Sequence, residues 1–273
     1  MSQRADRPRR RRRRRARRQG ASRLYLLPHL LTTANLFFGF YAIAQAFLGH
    51  PDKAAGGIIL AMVFDILDGR VARLTRSTSR FGSEYDSIAD TVSFGVAPAM
   101  LAFSAGNLAV LGRPGWVMTF LFTACASLRL ARFNVSSPRY RGRFEGLPSP
   151  AAAGVVASTQ WFVTFLRDGG SAFTAPEWLV AAGVSLLGLL MVSSIPYRSF
   201  KEVDTGHPFG TLVLAVVALT LVVIEPAITL FSIGIVYTVV GPLEWLWRLG
   251  TRNPLPKLPD PAPEPEPSQG STP

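Results

Sequence analysis

Residues 56–101 read GGIILAMVFDILDGRVARLTRSTSRFGSEYDSIADTVSFGVAPAML, two apolar runs around a polar centre that holds Asp65, Asp68, Asp86 and Asp90. A helix that crosses a bilayer needs about 20 mostly apolar residues. Extended to their natural breaks, the runs cover 55–75 and 84–106, and the acids fall at the facing ends of both. Asp65 and Asp68 are three apart and Asp86 and Asp90 four apart, so each pair occupies one helical face. Ionised carboxylates at membrane depth are costly unless compensated, so an all-acid cluster is not a stability device. Hard divalent cations such as Mg²⁺ prefer oxygen ligands and would neutralise it.

The same pattern repeats outward from this stretch. Apolar segments near 28–48, 115–135, 148–167, 177–195, 208–224 and 227–247 bring the expectation to about eight transmembrane helices, an all-α polytopic bundle. With 48% hydrophobic and only 17% charged residues in 273, the composition agrees. Glu225 and Pro226 leave almost no loop between the last two helices, which predicts a tight hairpin. Lys and Arg in the short loops set orientation. Arg76, Arg80, Arg139, Arg141, Arg143, Arg198, Lys201, Arg248 and Arg252 would share one side against Lys53, Arg113 and Arg167 on the other. That places both termini and the aspartates at the cytoplasmic face.

The net charge of +12 resides almost wholly in the first 23 residues, where twelve arginines stand against Asp6. Such a block cannot bury anything and is expected to be disordered. It either attracts anionic headgroups or merely keeps the N-terminus cytoplasmic. Nucleic acid is a poor partner, because no aromatic residues interleave with the arginines. The run from Leu24 is long enough to span and lacks a small-residue cleavage pattern, so it reads as a retained helix. A single cysteine, Cys125, excludes an internal disulfide and any cysteine metal cluster. The Pro-rich 251–273 reads as a second disordered tail.

Between the acids, Gly69 and Gly82 remove side chains where another group must approach the backbone, and Ala72 keeps the face of Asp65 and Asp68 narrow. Arg73, one turn past Gly69, can hold a phosphate. Acids for metal, glycines for access and an arginine for anion point to a metal-bound pyrophosphate or nucleotide at the membrane surface. A cation-coupled transporter and a non-catalytic lipid-binding scaffold are the readings from other classes. The acids' place toward one face, without evident inverted repeats, argues against transport.

Asp65, Asp68, Gly69, Ala72, Arg73, Gly82, Asp86 and Asp90 reproduce without a gap the D-x2-D-G-x2-A-R-x8-G-x3-D-x3-D signature, and in this the chain resembles the CDP-alcohol phosphatidyltransferases. Four further segments resemble the branch whose acceptor is serine, the CDP-diacylglycerol–serine O-phosphatidyltransferases. They are DSIADTVSFGVAPAML (86–101), CASLRLARFNV (125–135), FEGLPSPAAAG (144–154) and LLMVSSIPY (189–197). The likeness runs from about Pro28 to Lys201. It implies a catalytic membrane domain at 24–201, with the tail 1–23, an additional helical hairpin at 202–250 and the tail 251–273 outside it.

The resemblance implies an enzyme of the inner cell membrane that moves a phosphatidyl group from CDP-diacylglycerol to L-serine, giving phosphatidylserine and CMP. Glycerol 3-phosphate or inositol is the alternative acceptor by the same chemistry. It implies two Mg²⁺ or Mn²⁺ ions, one on Asp65, Asp68 and Asp86 and one on Asp65, Asp86 and Asp90, with Asp90 also the base. CDP-diacylglycerol contacts fall on Gly69, Ala72, Arg73, Ser79 and Gly82, with the nucleotide itself met by Gly69, Arg73 and Ser79. PHLLTTAN (28–35) resembles the family's P-N-x2-T-x2-R/N opening, which brings His29, Leu30, Leu31, Thr32 and Asn35 to the CDP-diacylglycerol; His29 stands where Asn is common. A homodimer is also implied. Arg129 and Arg132 share a helix face and serve either as positive anchors or as an anion site for lipid phosphate or serine carboxylate. Asn134, Glu145 and Ser149 are weaker acceptor candidates.

Overall fold

A computed structural model describes residues 7–75, 79–135, 142–198 and 208–251. The helices are α1 (Arg7–Phe47), α2 (Pro51–Thr75), α3 (Arg80–Asp90), α4 (Ala97–Ala105), α5 (Arg113–Val135), α6 (Ser149–Asp168), α7 (Glu177–Val192), α8 (Pro208–Ile224) and α9 (Pro226–Gly250). Six residues wound as a π-helix, Thr91–Val96, join α3 and α4 into one rod. A short 3-10 turn, Leu108–Leu111, precedes α5. Among the described residues, four helical stretches are long and apolar enough to cross a membrane: Leu27–Phe47, Arg80–Ala105, Arg113–Val135 and Pro226–Gly250. The shorter Glu177–Val192 is also apolar.

α1 begins at Arg7, upstream of the start expected at 24. Arginine is a good helix former, and an established apolar helix extends outward more cheaply than a new one nucleates. The tail 251–273 lies outside the described residues, apart from Thr251.

The packing is that of a membrane bundle. Small side chains fill the interior, with Ala42, Ala46, Ala54, Ala55, Ala61, Ala126, Ala152 and Ala157 buried, while Phe37, Phe40, Phe120, Leu219 and Leu246 point outward. Where lipid is as apolar as leucine, burying large side chains drives nothing, and close backbone approach dominates. Gly57 makes such an approach, since a Cβ there would meet the Ala42 Cβ at 3.0 Å and the Phe38 carbonyl at 3.1 Å. α1 and α2 form an antiparallel pair, turned by Gly49 at φ 75° and restarted at Pro51.

Gly39 brings α1 onto the π turn. The Ser93 hydroxyl donates to the Asn35 carbonyl at 3.0 Å, and a Cβ on Gly39 would lie 2.3 Å from the Ser93 Oγ and 2.8 Å from its Cα. Gly39→Ala is therefore expected to destabilise the protein by about 1–3 kcal/mol through overpacking. Gly183→Ala, with nothing within 4 Å of its added Cβ, should leave stability unchanged or raise it. Thermal unfolding of both variants in detergent checks the contrast.

One local feature departs from the all-α expectation. β1 (Arg143–Glu145) and β2 (Pro196–Arg198) pair antiparallel, with Phe144 opposite Tyr197. Strands of three residues are too short to show an alternating pattern. Gly146, at φ 73°, closes against the Met191 carbonyl, where a Cβ would sit at 2.1 Å. At the other end of the chain, only Glu225 separates α8 from α9.

Candidate active site

α2 contributes Asp65 and Asp68 to one end of the bundle, and α3 contributes Asp86 and Asp90. Oxygen atoms of Asp65, Asp68 and Asp86 lie within 4.8 Å of one another. Asp90 is near enough to Asp65, Asp86 and Asp68 to feel their charges. Asp68 and Asp90 are buried. Among the described residues, Asp68 Oδ2 and Asp86 Oδ1 are buried without a hydrogen-bond partner. Clustered anionic oxygens lacking donors are electrostatically unfavourable in a low-dielectric environment, and this donor set fits a hard divalent cation.

α1 forms the wall behind the acids. Asn35 is fully buried and its Nδ2 donates to Asp90 Oδ1 at 3.0 Å. The Asn35 carbonyl takes the Ser93 hydroxyl, so one residue ties the carboxylate to the π turn that follows it. A π turn admits an extra residue where a side chain must be aimed. Thr32, also buried, stands against Asp68 and donates to the Pro28 carbonyl at 3.1 Å.

The mouth of the site is built at the start of α3. Ser79 caps that helix by accepting from the Gly82 backbone N–H at 3.0 Å. A Cβ on Gly82 would meet the His29 ring at 3.0 Å and Ser79 Oγ at 3.1 Å, so His29, Ser79 and Gly82 share one space. His29 meets Phe81 edge-on at 5.8 Å, and Thr33 bonds Tyr85 through hydroxyls 3.0 Å apart. On α2, the Arg73 guanidinium lies over Gly69, with Nη1 3.6 Å from where a Cβ would be. Ala72 and Leu31 are half-buried, whereas Leu30 is 60% exposed.

Arg129 and Arg132 of α5 have different partners. Arg129 donates from Nη1 to Ser149 Oγ at 3.1 Å, lies near enough to Asp90 and Tyr237 to interact electrostatically, and keeps a buried Nε without a partner among the described residues. Arg132 is instead ion-paired with Glu145. Asn134 donates to Ser87 Oγ at 2.9 Å and is exposed. Of the expected acceptor residues, Arg129 thus lies near Asp90 and bonds Ser149, while Arg132 and Glu145 pair with each other.

Tyr237 was not foreseen. It sits in the middle of α9, where nothing local distinguishes it from an interfacial aromatic. Its hydroxyl donates to the Arg198 carbonyl at 3.1 Å, and it is near enough to Arg129 to interact with it electrostatically. Glu244 on the same helix binds Arg143 at 2.7 Å, Arg248 at 2.9 Å and Arg198 at 3.1 Å. Arg143, expected only as a topology signal, is therefore a structural link between β1 and α9.

A family model described as CDP-alcohol phosphatidyltransferase matches residues 25–182. A Helicobacter pylori CDP-diacylglycerol–serine O-phosphatidyltransferase is 38% identical over 231 residues, covering 83% of this chain and 93% of the relative. A Mycobacterium leprae protein of the same name is 32% identical over 225 residues, covering 80% of this chain and 73% of its own. One from Methanocaldococcus jannaschii is 35% identical over 201 residues, covering 72% and 86%.

Proposed function

Because this chain belongs to the CDP-alcohol phosphatidyltransferase family, we propose that it transfers the phosphatidyl group of CDP-diacylglycerol to L-serine, making phosphatidylserine and releasing CMP. The carrying observation is the three-carboxylate cluster of Asp65, Asp68 and Asp86, set in a chain that aligns with 93% of a serine-accepting relative.

Asp65, Asp68 and Asp86 would hold one Mg²⁺ or Mn²⁺ and Asp65, Asp86 and Asp90 a second, which when bound supply charge neutralisation and electrophilic activation at the pyrophosphate. The remaining work falls to the chain. Arg73 takes donor phosphate by charge-assisted hydrogen bonds, and Gly69 leaves room beside it. His29, Ser79 and Gly82 border the nucleotide. Asp90, oriented by Asn35 through the 3.0 Å bond, accepts the serine hydroxyl proton as that oxygen attacks the lipid-side phosphorus. The bond from phosphorus to CMP breaks, and CMP leaves with the electron pair. A carboxylate is a weak base for an alcohol, so proton transfer comes late along the attack.

Arg129 receives the acceptor carboxylate. Its buried Nε lacks a protein partner among the described residues, and its neighbour Asp90 is the base. Charged hydrogen bonds contribute about 1.5–3 kcal/mol, so Arg129→Ala should raise KM for serine roughly tenfold or more. An unchanged KM for both serine and CDP-diacylglycerol would assign Arg129 to anchoring.

Eight spans, both termini cytoplasmic, an inner-membrane location and a homodimer with each active site inside one protomer complete the proposal. Support for the orientation is the excess of Lys and Arg in the loops on the aspartate side. The acceptor is tested by supplying purified protein with CDP-diacylglycerol, divalent metal and labelled serine, glycerol 3-phosphate or inositol in turn. Label entering lipid from serine alone is the expected result; label entering from another acceptor in its place would reject serine.

A further inference from the structure

β2 and α9 enclose a groove of about 420 Å³ that lies outside the aspartate cluster. Its wall is apolar over Ile233, Val236 and Val240, and it runs from Ser232 to Glu244. At 1.5 Å per residue along a helix, that is roughly 18 Å, on the order of an extended acyl chain. Val236 and Val240 are part-exposed on the outer surface of a helix apolar enough to span the bilayer, so the groove opens toward lipid.

The Glu244 end carries the charge. One carboxylate there receives Arg143, Arg198 and Arg248, which leaves a local surplus of two positive charges. Glu244 is 13% exposed, whereas Arg198 is 70% exposed at the rim. Arg198 engages Glu244 through Nε and Nη2, and Arg248 through Nε and Nη2. Among the described residues, Nη1 of each makes no hydrogen bond and remains available to an anion.

We propose that this groove binds an anionic phospholipid of the surrounding bilayer, with one acyl chain along Val236 and Val240 and the headgroup phosphate on Arg198 and Arg248. A cationic rim above an apolar channel complements such a lipid and disfavours a free anion, which would leave the channel unfilled. The excess of positive charge selects an anionic lipid over a zwitterionic one. Tyr237 forms part of the wall and is near enough to Arg129 to interact with it electrostatically, so the occupant lies against a neighbour of the residue proposed to receive the acceptor. The proposal does not depend on which alcohol the enzyme uses.

Native mass spectrometry of the full chain, released from mixed micelles of phosphatidylglycerol and phosphatidylcholine, tests it. The wild-type protein should retain phosphatidylglycerol in preference to phosphatidylcholine. An arginine near a lipid phosphate contributes about a fivefold preference, so Arg198→Gln should reduce the ratio about fivefold. Val240→Trp should fill the groove and abolish retention of both, while KM for CDP-diacylglycerol stays within about twofold, since the donor site is separate. Equal retention of the two lipids by wild type, or a ratio unmoved by Arg198→Gln, would overturn the proposal. A KM for CDP-diacylglycerol raised tenfold or more by Val240→Trp would assign the groove to the donor's own chains and overturn it equally. Arg198 lies exposed on a short strand, so its variant remains informative if the bulky one fails to fold.

Discussion

Asp90→Asn abolishes detectable phosphatidyl transfer in a protein that folds normally. General-base catalysis contributes about 10²–10⁴-fold, and the loss of a carboxylate from the proposed second ion adds to that. Folding is spared because the substitution is isosteric and the new amide oxygen can still accept the Asn35 Nδ2 hydrogen bond that Asp90 Oδ1 now receives at 3.0 Å. Three carboxylates, Asp65, Asp68 and Asp86, remain clustered within 4.8 Å. The variant should therefore still bind Mn²⁺, read by electron paramagnetic resonance, while releasing no CMP. Turnover within a few-fold of wild type would remove Asp90 from the role of base.

Asp68→Asn separates stability from activity with opposite signs. Asp68 is buried, its Oδ2 has no partner among the described residues, and it is close enough to Asp86 and Asp65 to feel both charges. Without metal, those like charges repel in a desolvated place, so neutralising one should raise the melting temperature in chelator. With metal, the order reverses. Ligand at a hundred times its dissociation constant stabilises a folded protein by about 2.7 kcal/mol, and Asp68→Asn should lose most of that increment together with activity. Differential scanning fluorimetry with and without Mg²⁺, run beside CMP release, reads both. If the variant melted lower than wild type in chelator and kept its metal-dependent shift, Asp68 would be a structural acid instead of a ligand.

The aspartate cluster was legible in the sequence because helical spacing is local. Residues three and four apart share a face whatever the rest of the chain does, and two apolar runs meeting at those residues leave few ways to arrange them. The small residues at Gly57, Ala42 and Ala54 could be seen but not paired, since a bundle interface has no period that names its partner. What the sequence concealed is carried by long separations. Arg143 and Glu244 are 101 residues apart, and Phe144 and Tyr197 belong to strands of three residues. Tyr237 looks like any aromatic in an apolar helix until α9 is placed beside Arg129.

Arg132 illustrates a different limit. It shares a helical face with Arg129, and sequence spacing makes the pair an obvious anion site. Glu145, thirteen residues on, neutralises Arg132, while among the described residues Arg129 bonds the neutral hydroxyl of Ser149 alone. Local pattern can place two cations together; only tertiary packing decides which of them keeps its charge available. The π turn over Thr91–Val96 was equally hidden, because its extra residue is accommodated by Gly39 on another helix.

Metal-dependent phosphatidyl transfer to serine by the proposed aspartate cradle is tested by the initial rate of CMP release from CDP-diacylglycerol and serine as divalent cation is removed and restored. CMP release should cease in excess chelator and recover fully on adding Mg²⁺ or Mn²⁺, with one phosphatidylserine formed per CMP. A rate that persists in chelator, or restored metal that yields no CMP with serine, would contradict it.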